Sequence, residues 1–264
     1  MNIIFFTQED PFYVKVFFDE FLKQFKPIKD IKAIVISHPM GKKSIFKLVK
    51  QMFEFYGSFD FIRVGLKFLF VKWMGCRKVV ASKSGAVPRT YTVKQLAKVY
   101  GLNVIEKSDL NGPPFLEMIR KYDPDLFISV AAPVIFREEL IRIPKLDCIN
   151  IHHAPLPRYR GMLPSFWQLY HGEKEAGITI HKIDIGIDTG DIIAQKHVTI
   201  EPDENLNDLM RKTKKEGAQL MLKVIGNFRN GNISSKKMEG EGTYFTFPSR
   251  EDVREFKRMG KRLL

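Results

Sequence analysis

Three short and almost uninterrupted apolar runs limit what this chain can fold into more than any other feature. They are Ile3–Phe6, Ile31–Ser37 and Leu126–Ala131. A strand that is apolar on both faces has to be covered on both faces, which is the pattern of a parallel sheet between helical layers. Between the first two runs, Pro11 to Phe25 places Phe12, Val16, Phe17, Phe21 and Leu22 on one helical face. This strand–helix–strand order predicts an α/β fold with a Rossmann-like, doubly wound, mostly parallel sheet and helices on both faces. No Gly-x-Gly-x-x-Gly follows the first strand, so a dinucleotide site is unsupported.

The remaining punctuation agrees with that plan. Helices are expected at about 43–55 and 59–74, split by Gly57, and from Val93 to Tyr100, with Thr92 as N-cap and Gly101 as terminator. Further on come a strand at 103–106, helices at 114–122 and 137–141, and the strand Cys148–His152. A helix at 164–171 precedes strands at 178–183 and 191–200, and a long helix spans 205–227 with a charged face from Asp208 to Lys215. Residues 1–230 are expected to form a catalytic domain in which 43–84 is a helical insertion. Residues 231–264 form a short appendage with a strand at 243–247 and a helix capped by Ser249 and Asp252.

Two cysteines far apart, Cys76 and Cys148, exclude a disulfide framework and a thiolate zinc site, and they fit a cytoplasmic location. The net charge of +13 leaves open a polyanionic partner such as RNA, a phosphorylated substrate, or simply a lysine-rich surface. The apolar stretch 59–73 is broken by Asp60, Arg63, Lys67 and Lys72, so it does not read as a membrane span. Its plainer reading is a helix that covers the sheet or a homodimer surface, and peripheral membrane contact by 59–74 is the less favoured one.

Polar chemistry concentrates in two places. Asn150 and His152, two apart at the end of a strand, project to one face, where α/β folds bind ligands. An amide donor beside an imidazole suits stabilising an oxyanion while a proton moves nearby. His153 points the other way and is read as structural or solvent-facing. The second place is the loop from His181 through Asp184, Ile185, Gly186, Ile187, Asp188 and Gly190 to Asp191, tight and rich in carboxylates. Its spacing is not that of a calcium loop, and no metal site is expected.

The sequence Asn150-Ile151-His152, then Leu156-Pro157-Arg158-Tyr159-Arg160-Gly161, then His181 to Asp191 resembles the folate-dependent formyltransferase family over about residues 85–225. That family includes glycinamide ribonucleotide, methionyl-tRNA and sugar N-formyltransferases and formyltetrahydrofolate hydrolases. The resemblance implies 10-formyltetrahydrofolate as donor and Asn150, His152 and Asp188 as catalytic triad, with Asp188 holding His152 charged. It also implies a pterin pocket lined by Val134, Ile135 and Phe136 and by the loop residues Asp184, Ile185, Gly186 and Ile187. A serine frequent in the family's loop is absent from Ala154-Pro155-Leu156-Pro157. The favoured acceptor is a small primary amine, an amino sugar carrying a nucleotide or phosphate. The 37 residues after Asn227 are too few for the C-terminal barrel of the transfer-RNA enzymes. Methionyl-tRNA is therefore the second choice, and hydrolysis of the donor the third, because the chain starts directly on its first strand. A folate- or nucleotide-binding protein without activity is the alternative outside the enzymes.

Overall fold

The computed structural model describes residues 1–38, 45–77, 79 and 88–264. Residues 43–44, 78 and 80–84 of the expected insertion lie outside the described residues. In chain order the elements are β1 (Ile3–Thr7), α1 (Val14–Gln24), β2 (Ile31–Ile36), α2 (Ile45–Tyr56), α3 (Ser58–Gly75) and α4 (Val93–Val99). They continue with β3 (Val104–Glu106), α5 (Pro113–Arg120), β4 (Leu126–Val130), α6 (Glu138–Ile141), β5 (Asp147–His152) and β6 (Arg160–Gly161). The last are α7 (Pro164–Tyr170), β7 (Glu175–Lys182), β8 (Ile192–Thr199), α8 (Leu206–Arg229), β9 (Tyr244–Phe245) and α9 (Arg250–Arg258).

Seven strands form one sheet in the order β3-β2-β1-β4-β5-β7-β8. The first five run parallel, and β7 and β8 add an antiparallel edge. The fold is therefore the Rossmann-like, mostly parallel α/β arrangement that the apolar runs predict. All five residues of β1 and of β4 are buried, because helices cover both faces. On one face Ile3, Phe5 and Ile128 pack against Phe17, Phe18 and Phe21 of α1 and Met221, Val224 and Ile225 of α8. On the other, Ile4, Phe6 and Phe127 meet Phe115 of α5 and Phe136. Alternation along each strand thus sends adjacent side chains into separate cores.

A third cluster joins distant parts of the chain. Phe55 of α2, Phe166 and Trp167 of α7, and Val253 and Phe256 of α9 are buried together, with Phe166 and Phe256 stacked 4.6 Å apart. Residues 250–258 form a helix for the expected reason: the Ser249 side chain accepts from Asp252 N–H and the Asp252 carboxylate accepts from Ser249 N–H. The strand expected over 243–247 is reduced to two residues. β9 pairs in parallel only with Arg160 and Gly161, a contact too short to extend further.

Phe6 is wholly buried, with the rings of Phe127 and Phe136 each 4.9 Å away. Phe6→Ala is expected to lower unfolding free energy by about 3–5 kcal/mol in urea melts, since the site is walled by strand and helix and cannot collapse.

Candidate active site

Strand register places the key residues. In β5, Ile149 and Ile151 face one core, so Asn150 and His152 face the opposite side. Parallel pairing sets Asn150 beside Ser129 of β4, and antiparallel pairing sets it beside His181 of β7. Asn150 Nδ2 donates to His181 Nε2 across that pair at 3.1 Å. The acceptor role of Nε2 follows from the other ring nitrogen, whose N–H donates to the Lys182 carbonyl at 2.7 Å.

Asp188 enters from the loop between β7 and β8, in the left-handed region at φ 53°. Its Oδ2 accepts from Gly161 N–H at 3.1 Å and lies 3.4 Å from His152 Nδ1, while Oδ1 lies 3.5 Å from His181 Nε2. Two features hold the carboxylate there. Asp184 builds the loop, accepting from Gly186 N–H and from the Thr189 hydroxyl. Gly190 packs so closely that a Cβ would fall 2.0 Å from the Lys182 carbonyl oxygen. Gly161 is itself fixed by the C-terminal tail. It has φ +95°, a Cβ there would meet the Phe245 carbonyl at 2.2 Å, and Arg160 and Met162 N–H donate to Thr243 and Phe245 on either side.

Burial pushes the Asp188 carboxyl up, but His152, His181 and the Gly161 N–H outweigh it and lower it to about 2. His152 goes the other way from the sequence expectation. Burial takes its imidazole below the ordinary value, and attraction to Asp188 only partly offsets that, so the resting ring is neutral near pH 7. Its Nε2–H donates to the Tyr159 carbonyl at 2.8 Å, which leaves Nδ1 facing Asp188 as the position that takes a proton.

These groups open on one cavity of about 1050 Å³ at the C-terminal ends of β1, β4 and β5. Val134, Ile135, Phe136, Asp184, Gly186, Ile187, Asn150, His152 and Asp188 all line it. Phe136 does so from the core, being buried against Phe6. Ile185 does not line the cavity; at 81% exposed it points to solvent from the loop's tip. His153 is not solvent-facing either. It is buried beneath Gly217 of α8, and neither ring nitrogen has a hydrogen-bond partner among the described residues.

Sequence reasoning missed three contributors: the His181 ring, the Gly161 N–H and Lys214. Lys214 belongs to the face expected to be charged and solvated, yet it is buried and reaches the cavity. It has no hydrogen-bond or ion-pair partner among the described residues. Burial lowers its ammonium to about 8, with Asp10 acting in the opposite sense. Helical spacing carries the signal that could have found it, since 214, 217, 218 and 221 form one buried stripe of α8. Among the described residues no group of three or more His, Cys, Asp or Glu side chains is arranged to hold a metal ion.

Residues 76–225 match the formyl transferase family. The chain belongs to that family. It is 37% identical over 152 residues to the methionyl-tRNA formyltransferase of Thermodesulfovibrio yellowstonii, covering 58% of this chain and 49% of that one. It is 40% identical over 133 residues to the methionyl-tRNA formyltransferase of Syntrophus aciditrophicus, covering 50% and 43%. The chain spans about half the length of the curated relatives it matches. Among solved structures, its fold is similar to that of glycinamide ribonucleotide transformylase 1 from Symbiobacterium toebii, with a TM-score of 0.59 and 16% identity over 90% of this chain and 94% of that one. It is also similar to the N-formyltransferase from Helicobacter canadensis, solved with folinic acid and dTDP-3-aminofucose, with a TM-score of 0.58 and 20% identity over 96% and 72%.

Because the native carboxyl is depressed, Asp188 adds stability that is complete above its unfolded value near 4 and is lost as pH falls through about 2. Asp188→Asn is expected to cost on the order of 2 kcal/mol in urea unfolding at neutral pH, with the gap to the parent closing across that acid window. A gap that stays constant down to acid pH would rule out an ionised, stabilising carboxylate at this position.

Proposed function

We propose that this formyl transferase family member moves a formyl group from 10-formyltetrahydrofolate to a primary amine. The observation that carries the reading is the convergence of Asn150, His152 and an ionised Asp188 on one cavity wall. The cavity suits the donor: Val134, Ile135, Ile183 and Ile187 offer apolar surface to a flat heterocycle, and its volume fits a ligand larger than a single ring. When bound, 10-formyltetrahydrofolate supplies an electrophilic formyl carbon. The bond from the acceptor nitrogen to that carbon forms, the bond from the carbon to the folate nitrogen breaks, and one proton passes from the amine to the folate nitrogen.

The residues of the chain divide this work. One Asn150 Nδ2–H is spent on His181, which fixes the amide plane and leaves the second N–H to stabilise the formyl oxygen as negative charge develops on it. His152 receives a proton at Nδ1 and passes it on, because its neutral resting state is ready to accept and Asp188 at 3.4 Å stabilises the imidazolium while it exists. The Gly161 N–H donates to Asp188 and holds it in place.

The acceptor reading is an amino sugar linked to a phosphate or nucleotide. Lys214 supports it, as a cation with no hydrogen-bond or ion-pair partner among the described residues, largely protonated at neutral pH and turned into the same cavity. A second reading, formylation of methionyl-tRNA, is favoured by the 34–40% identity to enzymes of that name over 50–60% of this chain. Donor turnover followed by absorbance separates these readings. Wild type should turn over with an amino sugar phosphate or nucleotide, and Asn150→Ala should lose about 100-fold or more in kcat, as removal of one oxyanion donor does. Wild type and Asn150→Ala that are equally inert across amino sugars, glycinamide ribonucleotide and methionyl-tRNA would leave a binding protein without activity. A salt-sensitive gel shift with initiator tRNA would favour the second reading.

Lys214→Met keeps the buried stem and removes the charge. It should raise KM for phosphorylated acceptors about tenfold or more while leaving kcat within a few-fold. It should also raise the urea midpoint, because an unpaired buried cation is removed.

A further inference from the structure

The α2–α3 hairpin carries an apolar surface that the domain does not cover. Among the described residues, eleven of the exposed large apolar side chains fall between 46 and 73, against seven in all the rest of the chain. α3 has eighteen residues and none is buried. Its ends are nevertheless fixed. Lys257 donates to the Tyr56 carbonyl, Phe55 sits in the core shared with α7 and α9, and Gln95 Nε2 donates to the Met74 and Arg77 carbonyls. The hairpin is therefore an anchored part of the fold with an outward apolar face.

Phe59, Ile62, Leu66, Leu69, Phe70 and Trp73 are each 50–80% exposed. At 3.6 residues per turn these six side chains fall within an arc of about 100°. The opposite side of the helix, with Phe68 and Phe61, meets Phe12 and Phe53. On α2, Val49 and Phe53 are also partly exposed. A single Leu in water needs no explanation, but a stripe four turns long does.

The charges bordering the stripe identify what covers it. Arg63 and Lys67 flank one side, Lys72 the other, and Arg77 lies over the Trp73 ring at 4.4 Å beyond its end, whereas Asp60 is the acid of α3. A second copy of the chain would pair this surface with itself and set Arg63 and Lys72 against like charges in the positions that usually pair oppositely. An apolar stripe bordered by cations, with aromatic rings among its members, instead matches an interfacial helix on an anionic bilayer. No helix among the described residues is long and apolar enough to cross a membrane, so the contact is with the surface.

We propose that the exposed stripe of α3 docks this protein on an anionic phospholipid surface. Lys47, Leu48, Gln51 and Met52 of α2 line the catalytic cavity, so docking holds one wall of that cavity at the bilayer. The inference uses nothing of the formyl-transfer reading, and its test measures no turnover, so each can fail without the other.

The experiment is flotation of the full chain with extruded vesicles of phosphatidylcholine, with and without phosphatidylglycerol, at low and high salt. Binding is expected to the anionic vesicles and to weaken with salt. Leu66→Ser combined with Leu69→Ser should lose it, and Arg63→Glu combined with Lys67→Glu should weaken it about tenfold or more. All four positions are exposed, so circular-dichroism melts should match the parent for the serine variant and shift only slightly for the charge variant, which gives up the Lys67 ammonium's contact over the Phe12 ring at 5.2 Å. No flotation with anionic vesicles at low salt overturns the proposal, as does equal flotation of parent and both variants. A dimer in size-exclusion chromatography that Leu66→Ser with Leu69→Ser dissociates, without vesicle binding, assigns the stripe to a second copy and overturns it as well.

Discussion

A buried carboxylate can stay ionised only when the protein replaces the water it gives up, and this requirement organises the site around Asp188. Three parts of the chain meet at it: the Gly161 N–H from β6 donates to it, and the His152 ring from β5 and the His181 ring from β7 lie 3.4 Å and 3.5 Å away. Each part depends on a different structural decision. β5 must end with His152 on the cavity side, β7 must pair antiparallel to it, and β6 must be held by the tail. Loss of any one would leave a charge in an apolar setting, which is far more costly than loss of a surface ion pair.

This explains why the C-terminal residues belong to the working molecule. β9 contributes only two residues to a strand, but they fix the backbone on either side of Gly161, whose N–H touches Asp188. α9 in turn is fastened through Phe256 to Phe166, and α7 carries the residues that follow β6. A chain of packing runs from a surface helix to the carboxylate. The α2–α3 hairpin joins the same cluster through Phe55, so the cavity wall and the exposed apolar stripe share one anchor.

The two buried bases near the cavity show how burial divides roles. His153 has no partner among the described residues, and burial with the Lys214 charge holds it well below its ordinary value; it behaves as an apolar filler beneath Gly217. Lys214 keeps most of its charge at neutral pH, because its head reaches the cavity although its stem is covered. An unpaired cation at that place is a cost to the fold, and an anionic ligand would remove the cost.

The parallel sheet, its covered strands, the helix caps at Thr92 and Ser249, and the placing of Asn150 and His152 on one face were legible in the sequence. Each follows from local periodicity or from a side chain bonding to a neighbour three residues away. Asp188 was named by the resemblance to the formyltransferase family, since spacing alone did not separate it from Asp184 and Asp191. Other features depend on pairing across the chain, which local pattern does not record. The antiparallel register that sets His181 against Asn150 is one, and the tail strand behind Gly161 is another. So is the neutral resting state of His152, because a neighbouring carboxylate argues for charge in the sequence while burial, known only from the packed structure, argues more strongly against it. Lys214 belongs to a run of charges from Asp208 to Lys215, and only the packing of α8 on β7 and β8 shows it turned inward. The sequence by itself put forward Asn150, His152 and Asp188 for the chemistry; the tertiary structure added the groups around them and decided their charges, because ionisation depends on how much water each group loses and what replaces it.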